Sequence, residues 1–163
     1  MTFGGFQAQP SSTAQVDAST PWVAAGDGDL QLLQTSIQQL NLTPNSRDGN
    51  GFSFLHAACG YCRVNVIAWL LSNKDVDVNL RDGDGDTALH HCDDAVSAKM
   101  LIEGGADAQL TNNEGKTALQ VKEEELHEGD EEEDDSDDED REKLKELVTY
   151  LKSLTGVDED KME

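Results

Sequence analysis

A chain of 163 residues has the length of about one domain, and its 36% hydrophobic and 5% aromatic content leaves part of it outside any core. The net charge of −22 argues against general binding to a phosphate backbone. The longest apolar run, Val66 to Leu71, is too short to span a membrane, and three cysteines cannot close a disulfide set.

Residues 1–19 are rich in Gln, Ser, Thr, Gly and Ala. They cannot bury enough apolar surface to offset the cost of ordering and are read as disordered. Met1 to Val16 holds no basic residue and no long apolar stretch, so it reads as neither secretory signal nor transit peptide. The fold is expected to begin near Pro21 with Thr20 as a helix cap. Ala24 and Ala25 run into a Gly26-Asp27-Gly28-Asp29 turn, after which Leu30, Leu33, Ile37 and Leu40 recur at helical spacing.

A nine-residue frame then repeats. Asp48-Gly49-Asn50-Gly51-Phe52-Ser53-Phe54-Leu55-His56 is followed by Asp82-Gly83-Asp84-Gly85-Asp86-Thr87-Ala88-Leu89-His90. A degraded third copy is Asn112-Asn113-Glu114-Gly115-Lys116-Thr117-Ala118-Leu119-Gln120. Gly51, Gly85 and Gly115 lie 34 and 30 residues apart. After the first frame, Leu55–Cys59 reads as one helix, and Val64, Ile67, Leu70 and Leu71 as the buried stripe of a second. After the second frame the segment between His90 and Leu101 is about three residues short, so its first helix or inter-helix turn must be trimmed.

The third frame runs into an acid block. Residues 123–140 hold fourteen carboxylates and no Lys or Arg, leaving −8 for the other 145 residues. Beyond it Leu144, Leu147, Val148, Leu151 and Leu154 follow helical spacing, and Gly156 suits a C-cap. Two readings are open: one helix pair interrupted by an inserted loop at 123–140, or an independent C-terminal helix. Loop closure cost grows slowly with length, and a lone helix of about 14 residues is marginal in water, so the first is the more economical.

The recurring frame resembles the ankyrin repeat, with its T-P-L-H-like start and period near 33. The resemblance covers about 20–154. It is similar, more narrowly, to small eukaryotic ankyrin proteins with an aspartate/glutamate-rich stretch before a last helix. The implied fold is an all-α repeat solenoid of about 3.5–4 helix-turn-helix units with β-hairpin loops. Its divisions are a cap repeat at 20–47, repeats at 48–81 and 82–110, a last repeat at 111–154, and a flexible tail at 155–163. Two positions depart from the family. Phe54 stands where proline is usual, and Cys62 where a glycine usually joins the helices, so a rearranged turn is expected there.

Other constellations have chemical possibilities. Asp82-Gly83-Asp84-Gly85-Asp86 has a calcium-loop look, but an EF-hand needs Gly and Glu where Thr87 and Asp93 stand. Cys59 and Cys62 form a C-x-x-C near His56, His90, His91 and Cys92. No second C-x-x-C exists, and the repeat frame accounts for these residues as packing and hydrogen-bonding positions, so no metal, redox role or cofactor is expected. His56, His90, His91 and His127 lack any nucleophile frame, phosphate loop or metalloprotease motif. No enzymatic activity is expected.

The resemblance implies protein binding on the concave face of hairpin tips and inner helices. The contact positions it nominates are Asn50, Phe52, Tyr61, Arg81, Asp84, Asp86, Glu114 and Lys116, with Phe52 and Tyr61 as aromatic anchors. The acid block is either a solvated loop or bait for a basic partner such as a histone or ribosomal protein, which the chain would escort. Ser136, followed by Asp137-Asp138-Glu139, suits an acidophilic serine kinase. A monomer in the cytoplasm or nucleus, without nucleic acid or membrane contact, is expected.

Overall fold

The computed structural model describes residues 15–128 and 138–156. The centre of the acid block, including Ser136, lies outside the described residues, as do most of the N-terminal segment and the tail. Within them seven α-helices stack in chain order: α1 (Thr20–Asp27), α2 (Leu30–Gln39), α3 (Phe54–Gly60), α4 (Val64–Leu71), α5 (Ala95–Glu103), α6 (Ala118–Glu128) and α7 (Asp138–Thr155). None is long and apolar enough to cross a membrane. The core runs along the stack through Ala25, Leu33, Phe54, Ile67, Leu70, Leu89, Leu101, Leu147 and Leu151.

The first pair is α1 and α2. The Asp17 carboxylate accepts from the amides of Ser19 and Thr20, each at 2.9 Å. Ser19 is therefore the N-cap, and Thr20 is the first helical residue rather than the cap expected from sequence. Trp22 of α1 reaches the second repeat: its indole Nε1 donates to the Phe52 carbonyl at 2.7 Å, and its ring tilts against Phe54 at 4.8 Å. Phe54 is fully buried, so the residue that forgoes proline's fixed φ fills the core between two repeats.

The turn between α3 and α4 is not rearranged. Cys62 adopts φ 54°, the left-handed geometry that its counterpart Gly28 adopts at 80°. The same hydrogen bond demands it in both repeats: Arg63 N donates to Ala58 O at 2.8 Å, as Asp29 N does to Ala24 O at 2.9 Å. A side chain at that φ costs about 1–2 kcal/mol. In α4 the buried residues are Val66, Ile67 and Leu70, while Val64 is 42% exposed. The stripe expected through Val64 shifts because that residue opens the helix and overhangs the packed face.

The third repeat shows where its missing residues went. Its first helix is reduced to one tight turn, with His90, His91 and Cys92 amides donating to the carbonyls of Thr87, Ala88 and Leu89. These i to i−3 bonds wind fewer residues into the same axial space. Then Asp94 caps α5 by accepting from Ser97 N at 3.1 Å, and Ala98 and Leu101 enter the core.

The last pair corrects the extent of the acidic insertion. Helix α6 continues to Glu128, so residues 123–128 are helical and not loop, and α7 begins at Asp138. Glutamate and lysine are good helix formers. The α6 acids are also held by cations: Lys116 Nζ lies 2.6 Å from Glu124, and Lys152 Nζ of α7 3.1 Å from Glu123. Lys122 is almost fully buried between Asp93 and Glu125, at 3.0 and 2.9 Å. Helix α7 packs against α5 and α6, burying Leu147, Val148 and Leu151. Leu154 belongs to the sequence stripe but is 38% exposed, one turn beyond the packed face.

Candidate functional site

The site is built from the hairpin tips. In each, one side chain folds its own turn. Asp48 Oδ1 accepts from the amides of Asn50 and Phe52 at 2.8 and 2.9 Å. Asp82 Oδ1 accepts from Asp84 and Asp86 at 2.9 and 3.0 Å, and Asn112 Oδ1 from Glu114 and Lys116, both at 3.0 Å. This turn is why an Asp or Asn opens each frame. The tips then stack by backbone bonds: Gly83 N donates to Asn50 O at 2.8 Å, and Asn113 N to Asp84 O at 2.9 Å. A Cβ on Gly51 would sit 2.9 Å from Gly83 N, and Gly51 has φ +81°, so both contact and conformation require glycine there.

Below the tips, each frame's fourth-from-last and last residues cap the helix that follows. Ser53 N donates to His56 Nδ1 at 3.2 Å, Thr87 N to His90 Nδ1 at 3.1 Å, and Thr117 N to Gln120 Oε1 at 2.9 Å. Each histidine has a second task. His56 Nε2 donates to Asp86 O at 2.9 Å and His90 Nε2 to Lys116 O at 3.1 Å, each bonding the next hairpin. Gln120 caps the last such frame among the described residues. Burial pushes the pKa of both histidines below the ordinary value, despite the carbonyl contacts that raise it.

Between the first two tips lies a shallow cleft of about 620 Å³, lined by Arg47, Asn50, Phe52, Arg81, Asp82 and Asp84 together with tip glycines. Four of the residues nominated from sequence therefore meet in one place: Asn50, Phe52, Arg81 and Asp84. The other four do not join them. Asp86 Oδ1 is tied to Asn112 Nδ2 at 2.8 Å. Glu114 and Lys116 pair with each other at 2.9 Å on the third tip, where the adjoining Glu124 and Glu114 raise the Lys116 pKa. Tyr61 sits at the opposite end of α3 from Phe52, 66% exposed, with its ring over Gly26.

Three side chains in and beside the cleft escaped nomination: Arg47, Asp82 and His91. Arg47 stands 34 residues before Arg81, in the same register, and the guanidinia run along the stack: Arg47 Nη1 donates to Arg81 O at 3.2 Å and Arg81 Nη1 to Thr111 O at 2.8 Å. The repeat spacing itself was the signal. His91 was visible only as one of several histidines. Its Nε2 donates to Asp82 Oδ2 at 2.8 Å, and its ring lies 4.9 Å from Phe52. Burial raises the Asp82 pKa, but the His91 hydrogen bond and the Asp86 and Asp84 amides outweigh it and hold the carboxyl below its ordinary value.

The cysteines lie apart from this face. Cys59 and Cys92 are fully buried, and burial raises the Cys92 thiol pKa, so it packs as a small apolar group. Burial first, then Asp94, pushes Cys62 up to about 11.

The family model for ankyrin repeats (3 copies) matches residues 22–112. The chain belongs to the ankyrin-repeat family. An ankyrin repeat-containing protein of Schizosaccharomyces pombe is 34% identical over 111 residues, covering 66% of this chain and 53% of its own. A putative ankyrin repeat protein of Rickettsia felis is 34% identical over 94 residues, covering 51% and 40%. The NF-kappa-B inhibitor delta of Mus musculus is 34% identical over 83 residues, covering 50% and 25%. The chain thus spans about half, or less, of the length of these relatives. Ankyrin repeats are protein–protein interaction modules.

Proposed function

We propose that this ankyrin-repeat protein is a non-enzymatic adaptor or regulatory subunit, binding a protein partner on its hairpin and inner-helix face. The observation that carries the reading is the cleft, where Asn50, Phe52, Arg81 and Asp84 converge between two rigidly stacked tips. Tyr61, at the far end of α3, is an exposed aromatic that would serve as a second anchor. The protein acts as a monomer in the cytoplasm or nucleus, without nucleic acid or membrane contact. Phe52→Ala and Tyr61→Ala test the reading in a pull-down of partners from cell extract. Loss of a specific partner by both variants supports it, and unchanged capture by both refutes it.

A second reading is favoured by the charge distribution: fourteen carboxylates fall within 123–140. Here the chain escorts a strongly basic protein, the block covering the Lys and Arg side chains that would otherwise meet nucleic acid. Phosphorylation of Ser136 would add about −1.5 to −2 of charge and strengthen that contact. The readings separate by salt. Screened contacts to the acid block weaken steeply above about 0.15 M, where the Debye length is near 8 Å, and a packed Phe52 contact does not.

A further inference from the structure

We propose that His56, Asp82 and His91 form a ligand set for a divalent transition-metal ion of the zinc or cobalt type. One donor atom from each side chain lies within 4.8 Å of the other two. Two imidazoles and one carboxylate suit a borderline ion, whereas calcium and magnesium prefer oxygen throughout.

The closest pair needs little movement. A tetrahedral ion with bonds of about 2.0–2.2 Å holds its ligand atoms roughly 3.3 Å apart. His91 Nε2 and Asp82 Oδ2 are 2.8 Å apart, so the ion takes the place of the Nε2 proton between them, which passes to His91 Nδ1 in a neutral ring and leaves to solvent from an imidazolium. His56 is the costly ligand. Its Nε2 must give up its bond to Asp86 O, and the ring proton moves to Nδ1, where Ser53 Oγ at 2.7 Å is placed to accept it. Ser53 N then loses its acceptor. That cost makes the site moderate in affinity, and three protein ligands leave a fourth position for water.

The location gives the ion a task. His56 belongs to the second repeat, while Asp82 and His91 belong to the third, whose first helix is reduced to a single turn. A shared ion fastens that turn to its neighbour. The His91 side chain is 27% exposed, so an ion can enter beside it. Phe52 tilts against both imidazoles, at 5.4 and 4.9 Å, and so shares the fate of the site.

The test is titration of the full chain with cobalt(II), read by visible absorption, with zinc(II) thermal melts in parallel. One saturable equivalent of moderate affinity with tetrahedral ligand-field bands is expected, free of thiolate-to-cobalt charge transfer. The melting temperature should rise by several degrees in about 100-fold excess of zinc over its Kd. His91→Gln and Asp82→Asn should each weaken cobalt binding at least ~10-fold. Both keep the fold by circular dichroism, since the amide oxygen that Asp82→Asn introduces still accepts the turn amides. Absence of ligand-field bands overturns the proposal. So does persistence of the bands in both variants, which would place the ion on the acid block. A thiolate charge-transfer band would place it on the cysteines and equally overturn it.

Discussion

Leu151 and Leu154 fall on one helical stripe in the sequence, yet the structure gives them opposite fates. Leu151 is 1% exposed against the rest of the stack and Leu154 is 38% exposed. Truncating a fully buried leucine to alanine costs about 2–5 kcal/mol, from lost transfer energy and the cavity left behind. Leu151→Ala is expected near ~3 kcal/mol, because α7 is the end of the stack and the site can partly collapse. At roughly 3–4 °C per kcal/mol for a domain of this size, the melting temperature should fall by about 10 °C. Leu154→Ala should cost less than ~1 kcal/mol. Urea and thermal denaturation followed by circular dichroism measure both. Equal losses, or none from Leu151→Ala, would show that α7 does not cap the repeats as described.

Other expectations follow from the same packing. His56 and His90 have folded pKa values below the ordinary histidine value, so the unfolded chain takes up protons first as pH falls. Their stabilisation should be complete above about pH 6.5 and decline below it. A His90→Gln variant should flatten that slope, and an unchanged slope would assign the acid sensitivity elsewhere. Cys62→Gly should raise stability by about 0.5–1 kcal/mol by relieving the φ of 54°, and a loss in urea melts would mean the thiol's packing outweighs the strain. Replacing 129–137 with a Gly/Ser linker of equal length should leave the melting temperature nearly unchanged. A large drop would give those residues a structural role.

The repeat frame was legible because its residues act locally. An Asp or Asn folds the turn through its own backbone, a Gly takes positive φ, and a Ser or Thr pairs with a His or Gln to cap a helix. Each device spans only a few residues, so sequence alone exposes it. What it hid depends on distance or on competition. His91 matters through Asp82 and Phe52, which only the stacked fold brings together. Cys62 reads as a broken turn, yet the hydrogen bond from the Arg63 amide to the Ala58 carbonyl forces the strained geometry on it. Charge alone marks 123–128 as loop, but the helix propensity of Glu and Lys and the ion pairs to Lys116 and Lys152 extend α6 to Glu128. In α4 and α7 periodicity found the apolar stripes but not where the packed face ends, so Val64 and Leu154 lie outside it.

Partner binding through the hairpin tips is tested most directly by affinity capture from cell extract. The bait is the intact chain beside Phe52→Ala and the 129–137 replacement, each at low and at moderate salt. The expected result is a partner that survives salt and the replacement but is lost with Phe52→Ala. A set of strongly basic proteins that vanishes with salt or with the 129–137 replacement, and ignores Phe52→Ala, would contradict binding at the tips and favour the escort reading instead.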